Sequence, residues 1–133
     1  MPGAPTPNLG LTVPTVGGDS NTWGTELNTD LGIIDGLGAA TAVNVSSNFT
    51  VAVSVFPEVI YRVTTGSATI TCTLLTPSAC TGRIFTIKKI DSGTGEVSIV
   101  GSIDGQTSWV RVTQWSYVRL FSNGSTYDVI GNN

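Results

Sequence analysis

Arg83-Ile-Phe-Thr-Ile-Lys-Lys-Ile-Asp91-Ser-Gly-Thr-Gly95 is the stretch that decides the fold class. Residues 83–90 are dominated by β-branched and aromatic side chains, the signature of a strand. In a strand, neighbours point to opposite faces, so one of Lys88 and Lys89 faces inward and the other outward. One of the two is expected to pair with an Asp or Glu from a neighbouring strand or subunit. Asp91-Ser-Gly-Thr-Gly95 then supplies a cluster of turn formers. Working outward, the same grammar repeats. Upstream lie Phe49, Val51, Val53 and Val55, a run ended by Pro57. Val59, Tyr61 and Val63 follow, then Ile70, Cys72 and Leu74 with Thr69, Thr71 and Thr73 on the opposite face. Downstream lie Val97 with Ile99, Val110 with Val112, Val118 with Leu120, and Tyr127 with Val129. Thr65-Gly66, Asp104-Gly105 and Asn123-Gly124 punctuate them as turns. Short strands at regular spacing predict an antiparallel β-sandwich or small barrel over residues 41–133.

Residues 1–40 read differently. Pro2, Pro5, Pro7 and Pro14 fix φ and remove backbone donors, so the first part is an extended arm carrying Leu11 and Val13. Asp19, Ser20 and Asn21 are N-cap residues for the helix that follows. Trp23, Leu27, Leu31, Ile34 and Leu37 recur at helical spacing and fall on one stripe. Gly36 and Gly38 supply the stop. Gly24 and Gly32 each cost this helix about 1 kcal/mol relative to Ala. A short helix so rich in glycine does not stand alone. Its stripe must pack on something: a bundle of sister helices, or the β-domain.

Composition bounds the function. The chain has 133 residues, a net charge of −3 and only 11% charged residues, against about 25% in an ordinary soluble protein. A surface so poor in charge suits a subunit covered in part by identical copies. There is no basic cluster to hold a phosphate backbone, so nucleic acid is not expected as a partner. Nor is membrane insertion, since no apolar run reaches roughly 18 residues. There is no His, which removes the commonest general base and metal ligand. No Ser or Cys has a His partner and no Gly-x-Ser-x-Gly elbow occurs. We therefore expect no enzyme, no cofactor and no metal. The start has neither the basic nor the apolar region of a secretory signal. Cys72 and Cys80 are expected as free thiols, with a bridge across the intervening turn as the alternative.

Two segments carry a resemblance. Leu11-Thr-Val-Pro-Thr-Val-Gly-Gly-Asp-Ser-Asn-Thr-Trp-Gly-Thr-Glu-Leu-Asn28, running on through Leu31 and Ile34-Asp35, resembles the N-terminal segment of bacteriophage tail-fibre and appendage proteins. There a Trp-Gly-x-x-Leu-Asn core precedes a short helix ending near Ile-Asp. Gly82-Arg-Ile-Phe-Thr-Ile-Lys-Lys-Ile-Asp91, Ile103-Asp-Gly105 and Val118-Arg-Leu-Phe-Ser-Asn-Gly-Ser-Thr-Tyr-Asp-Val-Ile-Gly131 look like the C-terminal β-module of such fibres. Residues 42–80 match nothing in that family. The resemblance implies a virion structural subunit, a homotrimer with an outward β-knob. Residues 1–38 would attach it to another virion protein of capsid, portal, adaptor or tail. It would be made in the host cytoplasm and reside in the virion. The long shaft of a tail fibre is missing, which favours a short spike, head fibre or decoration subunit.

Leu11, Val13, Trp23, Leu27, Leu31, Ile34 and Leu37 are thus the candidate interface and attachment residues. Trp23 reads equally as a docking anchor or as a helix core residue. Trp109, Trp115, Tyr117 and Tyr127 are candidates for contact with a host surface glycan. Ordinary sheet packing explains the same four residues. On alternation Trp109, Arg111 and Thr113 share a face opposite Val110 and Val112, so valines facing the core would turn Trp109 outward. Asp91, Glu96, Asp104 and Asp128 invite comparison with the carboxylate pair of a glycosidase, or Asp91–Glu96 with a calcium loop. Asp91 and Asp104 sit beside glycine in turns, where Asp is favoured for its backbone hydrogen bonds alone.

Overall fold

A computed structural model describes residues 11, 22–36, 40–54 and 56–133. The chain divides into two compact units, residues 1–39 and residues 40–133.

In the first unit, α1 (Trp23–Gly36) is the one described element. Thr22 opens it: its carbonyl accepts the N–H groups of Thr25 and Glu26 at 2.9 and 3.0 Å, and its hydroxyl donates to Glu26 Oε1 at 3.0 Å. The expected caps at 19–21 lie outside the described residues, as do Val13, Leu37 and Gly38. Trp23, Leu27, Leu31 and Ile34 form the expected stripe, and each is between 46% and 60% exposed. Leu11 is half-buried.

The second unit is mainly β. Its strands are β1 (Ala40–Val45), β2 (Phe49–Thr50), β3 (Glu58–Val63), β4 (Ile70–Thr73), β5 (Ile84–Lys89), β6 (Val97–Ile103), β7 (Gln106–Arg111), β8 (Tyr117–Ser122) and β9 (Tyr127–Asn132). They form one sheet in the order β1-β3-β5-β8-β9-β6-β4-β2, with β7 added beside β6. The path begins on β1 and ends on β2, which only Ser46, Ser47 and Asn48 separate in sequence. The sheet therefore curls into a near-barrel.

The expectation of an antiparallel sandwich is corrected here. β1, β3 and β5 run parallel, and so do β2, β4 and β6. Up to β6 the chain alternates between the two halves, so each pair of consecutive strands makes one coil and the coils stack. Antiparallel pairing is confined to β5 with β8, β6 with β7, and β8 with β9. Parallel neighbours normally need a helical crossover; here the crossover is a strand of the opposite half. The two predicted turns that join antiparallel strands are present. Asp104 (φ 45°) and Gly105 (φ 79°) close a two-residue hairpin between Ile103 and Gln106, as a primed turn requires. Asn123-Gly124 joins β8 to β9.

The core lies between the two halves. Val59, Tyr61 and Val63 of β3, Phe85 and Ile87 of β5, and Val118 and Leu120 of β8 face Ile70, Cys72, Val97, Ile99 and Ile103 from the other side, with Tyr127 among them. Fully burying side chains of this size stabilises by roughly 1.5–3 kcal/mol each. Coverage fades toward β1. Val43 is the register partner of the buried Tyr61 and so faces the same way, yet it is 38% exposed. Of the expected strand at Phe49–Val55, Phe49–Thr50 forms a strand and residues 51–54 do not, while Val55 lies outside the described residues. Phe49 stacks on Tyr61 at 4.9 Å, and the Ala52 N–H donates to the Tyr61 hydroxyl at 2.8 Å. That bond pulls the chain inward and ends its ladder. Cys72 and Cys80 are separate buried thiols. Burial pushes the Cys72 thiol up to about 12, which leaves it protonated and inert.

Candidate functional site

Lys89 is the inward lysine. It is fully buried, and its three N–H donors are all used: Asp91 Oδ1 at 3.0 Å, the Asp91 carbonyl at 2.8 Å and the Gly93 carbonyl at 2.9 Å. Asp91 also accepts from the N–H groups of Thr65 (3.1 Å), Gly66 (2.8 Å) and Gly93 (3.3 Å). Partial burial pushes the Asp91 carboxyl up. The Thr65 N–H, the Lys89 ammonium and the Gly66 N–H outweigh it and hold the group well below the usual carboxylate range. The Asp91 carboxylate is thus taken up by the Lys89 ammonium and three backbone N–H groups. This knot ties the turn after β3 to the turn after β5, and the backbones there nearly touch. A Cβ on Gly95 would stand 2.1 Å from the Ala68 carbonyl oxygen. Gly95→Ala is expected to lower the urea midpoint by an amount equivalent to about 1–3 kcal/mol.

The carboxylates of Asp104, Asp128 and Glu58 are committed to structure as well. Asp104 accepts the Val129 N–H at 3.3 Å, and Asp128 accepts from the Asn123 amide at 2.9 Å. Glu58 pairs with Arg119 at 2.9 Å and accepts the Thr86 hydroxyl at 2.6 Å. The Arg119 guanidinium hydrogen bonds outweigh partial burial, and with Thr86 they keep the Glu58 carboxyl below its ordinary value. No group of three or more His, Cys, Asp or Glu suited to a metal ion occurs among the described residues.

The four aromatic candidates do not form one platform. Tyr127 is fully buried; its hydroxyl donates to the Leu75 carbonyl at 3.1 Å and lies 2.8 Å from Cys80 Sγ. It is a core residue, not a glycan contact. Trp109 is half-buried against the core, while Val110 and Val112 are exposed. The face assignment of that strand is therefore the reverse of the alternative that put the valines inside. The cause is the β6–β7 register, which sets Trp109 opposite the buried Ile99.

Trp115 and Tyr117 are both placed beside Lys88, on the outer face of the β1-β3-β5-β8 half. Trp115 is 53% exposed and has φ of 66°. A turn pins it there. The Ser116 N–H returns to the Thr113 carbonyl at 3.1 Å, and the Trp115 N–H donates to the Lys89 carbonyl at 2.8 Å. The third position of such a turn belongs by preference to glycine. A bulky residue at positive φ is an outlier, with a cost of about 1–3 kcal/mol. The outward Lys88 places its ammonium 5.6 Å from the Trp115 ring centroid. Cross-strand register puts Asn44, Arg62, Lys88 and Tyr117 in one row. Arg111 reaches the end of that row, donating to the Tyr117 carbonyl at 3.0 Å while its guanidinium covers the Trp109 ring at 5.3 Å. Sequence reading missed Arg62 and Lys88 as site residues. Their meeting depends on the parallel register, which no local pattern encodes.

Compared with protein-family models, curated proteins and solved structures, the chain matches none of them. Among the described residues no helix is long and apolar enough to cross a membrane.

Proposed function

We propose that this chain is a structural subunit of a bacteriophage virion, a short trimeric fibre, spike or decoration protein held to the particle by residues 1–38. The observation that carries this reading is the seam on α1. Four large apolar side chains stand on one stripe of a 14-residue helix, each about half exposed or more. Such a helix is too short for stability in water by itself. Covering the four would contribute roughly 1.5–3 kcal/mol apiece, enough to order the helix in a bundle of three. The two fibre-like segments of sequence and the charge-poor composition support the same reading. The reading treats the β-unit as a non-enzymatic knob, and its two ion pairs, Lys89 with Asp91 and Arg119 with Glu58, are spent on turns and ladders.

Sedimentation equilibrium at micromolar concentration tests the assembly. The expected mass is three times the 13.8 kDa of the chain. The double variant Leu27→Glu, Leu31→Glu is expected to sediment as a monomer, because it sets two carboxylates in the seam. A wild-type monomer would overturn the trimer. Absence of the chain from purified particles, measured by mass spectrometry, would overturn the virion assignment.

A further inference from the structure

The row on the outer face poses a problem that the structural role does not solve. Arg62 and Lys88 are direct register partners on parallel neighbours, about 4.8 Å apart across the ladder. Like charges so placed repel. Neither has a carboxylate partner among the described residues: the two ion pairs there are Lys89 with Asp91 and Arg119 with Glu58. Arg62 finds only the Asn44 amide oxygen, at 3.3 Å. The chain has six cations in all, and three of them, Arg62, Lys88 and Arg111, gather on or beside this row. Next to the unpaired two stands Trp115, held outward on a backbone that disfavours it, and Tyr117, whose ring edge comes near Gly131. A glycine at 115 would suit the turn better and would lose only a surface indole.

We propose that Trp115, Tyr117, Lys88 and Arg62 form a binding site for an acidic saccharide, with the indole stacked on a sugar face and the two cations on its carboxylate. An aromatic face beside unpaired cations recognises a ring that is apolar on its flat side and anionic at its edge. Two free cations match one or two isolated carboxylates. They are too few to hold a phosphate backbone, and the net charge of −3 works against a polyanion of high charge density. The site is independent of the particle assignment, because it is complete within one chain.

The test is calorimetric titration of the full chain at low ionic strength with digalacturonate, neutral maltose and a ten-residue oligothymidylate. Saturable binding of the uronate, at least about tenfold tighter than the neutral sugar, is expected. Arg62→Gln with Lys88→Gln is expected to weaken it about tenfold or more, and Trp115→Gly likewise. Trp115→Gly is also expected to keep or raise the melting temperature, since it relieves the positive φ. A binding loss in a variant that melts no lower than wild type therefore reports the site and not the fold. The proposal is overturned if the uronate does not saturate, if the neutral sugar or the thymidylate binds as tightly, or if the variants bind like wild type.

Discussion

Asp91→Ala is expected to cost about 3–5 kcal/mol of stability, because it leaves the buried Lys89 ammonium without a counter-charge. For a domain of this size that lowers the melting temperature by more than about 10 °C. Thr65 and Gly66 lose their acceptor at the same time. The turns after β3 and β5 are then no longer joined by a carboxylate. Adding Lys89→Met to Asp91→Ala is expected to recover part of the loss, since the stranded charge is gone. Denaturant melts of the two variants check this; equal midpoints would mean that the ammonium had found water. The same carboxylate sets the acid limit. The folded protein holds the Asp91 and Glu58 carboxyls below their ordinary values of 3.8 and 4.5. The unfolded chain therefore binds more protons below about pH 4.5, and stability falls as pH falls through that range. At the other end the Cys72 thiol is raised by burial from 9.0 to about 12. Its contribution is complete below pH 9.0 and is lost as pH rises toward 12. With no histidine in the sequence, the melting temperature is expected to be nearly flat between these limits.

Tyr127→Ala is the second large effect, again about 3–5 kcal/mol. The ring is fully enclosed and tilts against Phe85 at a centroid distance of 6.2 Å. Its removal opens a cavity where the two halves of the sheet meet. Tyr127→Phe keeps the ring and strands the Leu75 carbonyl, which costs about 1–1.5 kcal/mol. Urea midpoints with unchanged slopes would report both values. Saccharide affinity of the Tyr127→Phe variant is expected to match wild type, because the core and the outer row lie on opposite faces of the sheet.

Tyr127 also shows where sequence reading stops. Its alternation with Val129 places it on a strand, and only the β8–β9 pairing decides which face of that strand turns inward. Local features were legible. A strand within Arg83–Ile90 forms as Ile84–Lys89, Asp104-Gly105 and Asn123-Gly124 are hairpin turns, and one of two adjacent lysines faces inward, although its aspartate comes from the following turn and not from a neighbouring strand or subunit. The pairing partner was not legible. Alternation of apolar and polar residues looks the same whether a strand's neighbour is the next one in the chain or the next but one. Coils that alternate between halves therefore read as a meander. The strand Ala40–Val45 was lost among small residues, since Ala40, Ala42 and Asn44 carry little strand preference. The site suffered from the same gap. Arg62 and Lys88 lie far apart in sequence, and nothing near either residue announces the other.

The route from one half of the sheet to the other passes through β8 and β9 alone, and β9 touches β6 at a single register pair, Ile103 with Tyr127. Of the nine strands, these two are the last to leave a ribosome. Until residues 117–133 emerge, the stacked coils are two separate ladders with an unsealed interior. Synthesis of β8 and β9 is therefore the step that joins the two ladders, and a nascent chain paused before Tyr117 exposes a sticky, half-built interior to its neighbours.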